Sequence, residues 1–194
     1  MNTLGHKLRV TVFGQSHAKA IGCVVEGLPA GFRPDMDRVA AFMARRAPGR
    51  DPWSTKRKEA DAPEILSGMV DGALCGAPLS AVIYNSDQHS KDYEGLRRTP
   101  RPSHADYTAW VKYGESYDIR GGGQFSGRLT APLCFAGALA LQLLEQRGIT
   151  VAGHIAAIAG VEDEATDFAR VERSALLALA EKPFPVFSDS AGEA

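Results

Sequence analysis

Cysteine is scarce in this chain, with only Cys23, Cys75 and Cys134 among 194 residues. The three form no CxxC pair and have no histidine at metal-ligand spacing, which argues against a disulfide scaffold and against a metal site. We therefore expect buried thiols in a reducing compartment and no bound metal.

An excess of either charge is also absent, because 22 Lys and Arg residues face 23 Asp and Glu residues. Net charge thus gives no reason to expect nucleic acid or a membrane as a partner. The N-terminus MNTLGHKLRV lacks the apolar core of a signal peptide, and no stretch approaches the length of a membrane span. We predict a cytoplasmic protein that binds neither nucleic acid nor a membrane.

What is present is the composition of an ordinary globular protein, 44% hydrophobic and 23% charged, in a length that suits one domain over residues 1–194. Short β-type runs come in neighbouring pairs, residues 8–13 with 22–29 and residues 64–72 with 78–85. Helical patterns separate these pairs, which favours an α+β fold over a doubly wound parallel sheet.

Apolar spacing predicts further elements: a helix after Asp35, a nearly continuous apolar helix over 129–148, a strand over 149–160 and an amphipathic helix over 167–180. Residues 87–125 show little periodicity and much Gly, Pro and charge. A long irregular stretch inside a compact domain is usually functional or disordered, so this region is where we look for a site.

The segment GQSHAKAIG places Ser16 and His17 in a tight turn between the first two strands. The histidine could be a turn residue that bonds the backbone, or a proton donor. Because adjacent strand residues point to opposite faces, Ser16 and His17 are not expected to pair as nucleophile and base. Hydrolase chemistry is therefore unsupported.

A run of basic residues spans positions 45–58 with only Asp51 opposing it: Arg45, Arg46, Arg50, Lys56, Arg57 and Lys58. Such a run can be a solvated face, a nucleic-acid contact or a phosphate site. Arginines at a helix end and in a Pro/Gly loop can converge on a phosphate with bidentate geometry. Few aromatic residues interleave the run, so a small phosphorylated ligand is the preferred interpretation.

The run RGGGQFSGR, residues 120–128, can turn backbone N–H groups toward one point before a helix begins, which is typical of an anion cradle. It matches neither GxxxxGK[ST] nor GxGxxG, and a flexible turn is the alternative. In TPRPSHADYT, His104 could be a solvated residue, a cap or a proton donor beside an anion, with Asp106 near enough in sequence to orient it.

Five segments in order resemble the signatures of the chorismate synthase family: GQSHAKAIGCVVEGLPAG, RRAPG followed by STKRKEAD, SKDYE, RPSHADYT and RGGGQFSGRLTAP. The resemblance covers essentially the whole chain. It implies helices sandwiched with antiparallel sheets and a homotetramer. Members of the family continue well beyond the length of this chain, so the resemblance implies a C-terminally incomplete domain that binds flavin weakly and turns over little by itself.

The resemblance also implies a reaction, the 1,4-anti elimination of phosphate from 5-enolpyruvylshikimate 3-phosphate to give chorismate. That reaction needs reduced FMN, with NADPH as a possible reductant of the flavin. By the same resemblance, His17 helps protonate the departing phosphate and His104 donates to the reduced flavin. Arg46, with Arg45 beside it, matches family arginines near the substrate and the nicotinamide nucleotide. A flavin- or phosphometabolite-binding protein without turnover is the alternative.

The resemblance assigns flavin contact to Gln124, Phe125 and Ser126, and to Arg128 just after them. The segment departs from the commoner Arg-Ser-Ser-Ala-Arg form, and the loss of its first arginine removes a cation near the flavin. Further departures are Gln15 in place of a usual glutamate, Ala18 in place of a glycine, and Pro52 where many members have a basic residue.

Overall fold

The computed structural model describes residues 2–47, 60–86, 95 and 99–193. The chain divides into two compact units, Met1–Gln142 and Leu143–Ala194. All the candidate site residues named above for catalysis, substrate and flavin lie in the first unit. A single domain over 1–194 stays a prediction.

A five-stranded antiparallel sheet with strand order β1-β2-β3-β7-β4 lies at the centre of the first unit. Its strands are β1 (Thr3–Leu4), β2 (Arg9–Gly14), β3 (Ala20–Glu26), β4 (Glu64–Ser67) and β7 (Leu79–Tyr84), and a separate hairpin consists of β5 (Met69–Val70) and β6 (Ala73–Leu74). Alternate residues of β3 and β7 meet across the ladder and are buried, for example Ile21 opposite Ile83. Because side chains alternate between the two faces of a strand, these residues give the sheet one apolar face.

The described residues of the first unit also form α1 (Met36–Arg46), α2 (Asp106–Tyr113) and most of α3 (Thr130–Glu145), whose last turn belongs to the second unit. Asp35 caps α1, since its side chain accepts a hydrogen bond from the backbone N–H of Arg38 at 3.0 Å. Val39 and Met43, four residues apart, form the buried stripe of α1. The start of α1 and the face that it buries are therefore close to those that the sequence predicts.

Hydrogen bonds join α1 to α3 at both ends. The side-chain amide of Gln142 accepts from the backbone N–H of Asp35 at 2.8 Å and donates to its carbonyl at 3.0 Å. At the opposite end Arg46 donates to Thr130 Oγ1 and to the carbonyl of Gly127, both at 3.3 Å. The two helices therefore run antiparallel, with the end of α1 beside the start of α3.

Helix α3 is more apolar than α1 and α2. By length and composition the segment 127–145, with a mean hydropathy of 1.3, could also cross a membrane, so the expectation that no stretch approaches that length was wrong. Core helices pass the same test, and Phe135 and Leu139 are almost completely buried inside the unit. Pro132 lies in the first turn, where it costs no helical hydrogen bond, and Gly148 follows the helix end with a positive φ.

The second unit contains a short hairpin of β8 (Ala157–Ile158) and β9 (Val161–Glu162), followed by α4 (Arg173–Ala178) and α5 (Asp189–Glu193). Asp163 organises it. Its carboxylate accepts from the backbone N–H groups of Phe187 and Ser188 at 2.8 and 2.9 Å and lies 3.0 Å from Nδ1 of His154. Burial alone would raise the pKa of Asp163, but these bonds hold it well below its usual range.

Several predicted elements differ from the structure. Of the strand predicted over 149–160, only Ala157–Ile158 is a strand in the structure. The apolar residues Ile149 and Val151 lie outside it and are about half exposed. The helix predicted over 167–180 is regular only in α4 and the 3-10 turn after it. Helix α2 lies inside the region that was predicted to be irregular.

The expectation of buried thiols holds for one cysteine. Cys23 lies in the core, where burial raises the pKa of its thiol to about 12. Cys75 is exposed and Cys134 is half-buried, so the expectation was wrong for Cys75. The pKa of Cys134 is also raised, chiefly by burial.

Candidate active site

The glycine run at 121–123 is the centre of the site. All three glycines have positive φ, with values of 59°, 89° and 55°, and they lie in a distorted 3-10 segment over Arg120–Phe125. Residues with side chains rarely adopt such angles, so the backbone itself requires glycine here. Because these glycines have no side chains, two histidine rings can pack directly against the turn.

His17 packs against Gly121. A side-chain carbon on Gly121 would overlap Cε1 and Nδ1 of His17 and come within 2.6 Å of Ser16 Oγ. The backbone N–H of Ser16 donates to the carbonyl of Gly123 at 3.2 Å, which fixes the histidine turn onto the glycine run. His17 is 6% exposed, so its position is determined by these contacts.

His104 packs against the neighbouring glycine. A side-chain carbon on Gly122 would lie 2.8 Å from Nε2 and 3.0 Å from Cε1 of His104. Consecutive Cα atoms are about 3.8 Å apart, so the nearest atoms of the two imidazoles are no more than about 12 Å apart. The two histidines, 87 positions apart in sequence, therefore pack against neighbouring glycines of one turn.

Asp106 and Arg101 contact His104 through its other ring nitrogen, Nδ1. Asp106 Oδ1 lies 2.6 Å from Nδ1 of His104, and Arg101 forks onto both carboxylate oxygens at 2.7 and 2.9 Å. The hydrogen bond from Arg101 is the main cause that holds the pKa of Asp106 far below its usual range. Burial raises the pKa of Asp106, which is 1% exposed, but the bonds from Arg101 outweigh this effect, so Asp106 stays a carboxylate next to the imidazole across the physiological pH range.

A similar Asp–Arg fork lies beside His17. Arg120 donates from Nε and Nη2 to the two carboxylate oxygens of Asp118 at 2.8 and 2.9 Å. This bond is the first cause that lowers the pKa of Asp118, and the nearby charge of His17 is a smaller one. Each imidazole of the site thus has a carboxylate in its surroundings that an arginine keeps ionised.

A buried carboxylate joins the two arginines of the site. Asp61 is 2% exposed and pairs with Arg46 through one oxygen and with Arg128 through the other. Two guanidinium groups thus share one carboxylate, which brings two positive charges and one negative charge together. The Arg46 side chain is 22% exposed, which leaves part of this positive charge within reach of an anion.

Asn85 connects this cluster to the histidine turn. Its side-chain oxygen accepts from Nε of Arg128 at 3.2 Å, and its amide nitrogen donates to the carbonyls of Gln15 and Ala18 at 3.0 and 2.8 Å. His17 lies between these two carbonyls in sequence. The arginine pair and the first histidine are therefore positioned by one hydrogen-bonded network.

The segment 124–126 separates two cavities. One of about 240 Å³ is lined by Gln15, Asp118 and Gln124 and by three aromatic residues, Tyr113, Tyr117 and Phe125. The other, of about 260 Å³, includes Gln124, Ser126 and Thr130 in its lining. Aromatic faces with a few amide and carboxylate groups suit a flat heteroaromatic ring, so the residues present fit a flavin.

Not every predicted residue joins this cluster. Arg45 is exposed and its guanidinium lies over the ring of Phe42, 5.5 Å from the centroid. The predicted basic residues Arg50, Lys56, Arg57 and Lys58, the departure at Pro52 and the SKDYE segment lie outside the described residues. Their predicted roles stay predictions.

Sequence reasoning missed the residues that hold the site together. Asp61 ends the STKRKEAD segment and Asn85 follows β7, yet neither position has a local pattern that names its partner. The expectation that Ser16 and His17 point apart was wrong, because Ser16 Oγ lies 3.1 Å from Nδ1 of His17. Both residues lie in a turn, where the alternation of a strand does not apply.

Fold and site together define a class: an α+β protein in which a glycine turn collects two imidazoles beside a positively charged arginine pair. Comparison with known proteins then gives the family. A family model described as chorismate synthase matches residues 8–191. The chain belongs to the chorismate synthase family.

Individual relatives agree. Chorismate synthase of Lancefieldella parvula is 43% identical over 203 residues, covering 99% of this chain and 53% of the relative. The enzyme of that name from Archaeoglobus fulgidus is 47% identical over 180 residues, covering 91% and 49%. A crystal structure of chorismate synthase superposes with a TM-score of 0.69 at 23% identity, over 97% of this chain and 51% of that one, which shows the fold. The chain spans about half the length of these relatives.

Proposed function

We propose that this chain provides the histidine and arginine side of a chorismate synthase active site. The reaction is the 1,4-anti elimination of phosphate from 5-enolpyruvylshikimate 3-phosphate, which gives chorismate. The observation that supports it is the packing of His17 and His104 on adjacent glycines, beside the Arg46–Asp61–Arg128 cluster. Two proton-exchanging groups and a net positive charge are what the loss of a phosphate requires.

The arginine cluster acts on the departing phosphate. Negative charge builds up on the phosphate oxygens as the C–O bond breaks, so fixed cations stabilise the transition state more than the bound substrate. Arg46 offers the partly exposed guanidinium, and Asp61 with Thr130 fixes its orientation in advance. Arg128 is buried and acts through the shared carboxylate.

His17 gives a proton to the departing phosphate, and His104 holds a proton for the flavin. An imidazole is suited to both tasks, because histidine is the side chain that changes charge near neutral pH. General acid help of this kind accounts for about 10²- to 10⁴-fold in rate. Removal of either ring from a competent enzyme should therefore cost a factor in that range.

Gln124, Phe125 and Ser126 would hold reduced FMN at the two cavities that they separate, with Arg128 next to them. Reduced flavin, when bound, supplies electron density to the substrate ring while the phosphate leaves. Gln124 lines both cavities and offers an amide where the commoner form of this segment has an arginine, so any contact of this side chain with the flavin would be a neutral hydrogen bond. NADPH as the reductant, a cytoplasmic location and a homotetramer belong to the same proposal.

A hybrid enzyme tests the proposal. The first half of the Lancefieldella parvula enzyme is replaced by this chain, which aligns with it over 99% of its length. The hybrid is supplied with reduced FMN and 5-enolpyruvylshikimate 3-phosphate under anaerobic conditions. We expect chorismate, and a loss of about 10²-fold or more in the His17→Gln and His104→Gln hybrids. A folded hybrid that forms no chorismate would contradict the proposal.

Flavin binding by the chain itself separates the alternative without turnover. Reduced FMN is titrated into the isolated chain and into its Phe125→Ala variant, and binding is followed by fluorescence and calorimetry. Binding that depends on Phe125, together with an inactive hybrid, would favour a flavin-binding protein without elimination. A hybrid that turns over excludes this alternative.

A further inference from the structure

Helix α2 exposes the kind of residue that a surface helix normally buries. Tyr107, Trp110 and Val111 are 62%, 50% and 63% exposed, whereas the buried residues of α2 are Asp106 and Ala109. A helix at the surface of a globular protein usually turns its apolar side to the core and its polar side to water. The usual arrangement is therefore reversed in α2.

The three exposed residues form one continuous surface, here called the aromatic stripe. They occupy positions i, i+3 and i+4 of α2, which lie on the same side of a helix. The rings of Tyr107 and Trp110 stack, with centroids 6.5 Å apart and an angle of 27° between their planes. Single exposed apolar residues are ordinary, but a contiguous group of them marks an interaction surface.

Both ends of α2 reach the candidate active site. The helix begins at Asp106, whose carboxylate bonds Arg101 and contacts His104. It ends at Tyr113, which lines the cavity of about 240 Å³. At 1.5 Å per residue, Trp110 lies about 6 Å from Asp106 along the helix axis. A polypeptide that covers the aromatic stripe is therefore close to the edge of the site.

The relatives indicate which polypeptide that is. This chain spans about half the length of the chorismate synthases that it matches, so the other half of each has no counterpart in it. Under the proposed function this chain contributes the histidine and arginine side of the site. A segment that completes the site would then lie beside α2.

We propose that the aromatic stripe is the docking surface for the second half of a chorismate synthase chain. Tyrosine and tryptophan are enriched at the centre of protein interfaces and charged residues are depleted there, which matches the three residues of the stripe. Nucleic acid would require basic residues to neutralise phosphates, and the stripe contains none. The proposal rests in part on the proposed function, and a second copy of this chain is the competing occupant.

Photo-crosslinking in the hybrid enzyme described above tests the proposal. Trp110 is replaced by benzoylphenylalanine, the hybrid is illuminated, and the crosslinked peptides are identified by mass spectrometry. We expect crosslinks from position 110 to peptides of the second half. The same replacement at Thr108, an exposed residue of α2 outside the stripe, is the matched control and should give few. Crosslinks from position 110 to the first half of another copy, or none above the control, would overturn the proposal.

Thermal unfolding gives an independent readout. Trp110→Ser should change the Tm of the isolated chain by no more than about 2 °C, because the side chain is already half exposed. In the hybrid the same substitution should lower the Tm by about 3 °C or more, because it removes an anchor of the interface. Thr108→Ser is the control and should change neither. Equal shifts in the isolated chain and the hybrid for Trp110→Ser would contradict docking at the stripe.

Co-expression decides the outcome if the hybrid does not fold. The second half of the Lancefieldella parvula enzyme is then captured by the parent chain and by its Trp110→Ser variant. We expect capture to fall by about 10-fold or more in the variant, and equal capture would overturn the proposal. None of these readouts uses turnover, so a hybrid that folds without forming chorismate is a separate failure, that of the proposed function.

Discussion

Gly122→Ala is the substitution for which the structure gives the clearest prediction. The new methyl group would lie 2.8 Å from Nε2 and 3.0 Å from Cε1 of His104, and the residue would keep a φ of 89°. The left-handed backbone costs about 1–2 kcal/mol for a residue with a side chain. The added methyl group also displaces the ring from its contact with Asp106, and overpacking of this kind costs about 1–3 kcal/mol.

We therefore expect the free energy of unfolding to fall by about 2–5 kcal/mol, the sum of the backbone cost and the cost of displacing the ring. Urea denaturation followed by circular dichroism measures it. Gly127→Ala is the matched control in the same segment, with no atom within 4 Å of the added carbon and no left-handed φ. It should change stability by no more than about 0.5 kcal/mol.

A double variant separates the two causes. In His104→Ala the ring is gone, so adding Gly122→Ala should cost only the backbone share of about 1–2 kcal/mol. Strictly additive losses would show that the ring and the glycine do not compete for space. Equal losses in Gly122→Ala and Gly127→Ala would refute the argument that the glycine turn is shaped around the histidine.

The remaining predictions concern the polar groups around the site. Asp61→Asn removes the buried charge that pairs with Arg46 and Arg128 and should lower the free energy of unfolding by about 3–5 kcal/mol in urea denaturation. As a control, Asp167→Asn in an exposed ion pair should cost no more than about 1 kcal/mol. Gln142→Leu removes the side chain that bonds both the backbone N–H and the carbonyl of Asp35 and should lower the free energy of unfolding by about 1–3 kcal/mol. A more stable variant in the same assay would contradict a stabilising role for these two hydrogen bonds. The pKa of Asp106 is lower in the folded chain than its usual value, so its stabilising effect is complete above the usual aspartate range and is lost as the pH falls below about 5. Asp106→Asn should therefore make the free energy of unfolding depend less on pH in the acid range. An unchanged pH dependence would argue against this contribution.

The sequence predicts those parts of the fold that depend on local pattern. The helix after Asp35, the apolar helix that closes at Gly148 and the paired strands follow from capping, periodicity and turn residues, and the structure contains them. Helix α2 could not be found in this way, because it buries Asp106 and Ala109 while Tyr107 and Trp110 are exposed. A helix whose buried face contains a carboxylate has no apolar periodicity to detect.

The site shows the same limit. The glycine run predicted an anion cradle, and the resemblance to a family pointed to His17 and His104, yet no local signal predicted that each ring would fit against its own glycine. Asp61 and Asn85 were not predicted, because their partners lie 15 to 70 residues away in sequence and are brought together only by the folded chain. Polar pairs between residues far apart in sequence depend on the tertiary structure, whereas caps and apolar periodicity depend on residues only a few positions apart.

The hydrogen bonds that join α1 to α3 at their two ends, here called the two bridges, limit where this chain can gain or lose residues. Eleven positions separate Asp35 from Arg46 and twelve separate Thr130 from Gln142, which correspond to helical spans of about 16 and 18 Å. These near-equal lengths let both bridges close at once. An inserted residue inside either helix would rotate everything beyond it by about 100° and open one bridge, while the same residue added to a connecting loop would leave both closed. Natural length variation in relatives should therefore fall between these helices and not within them.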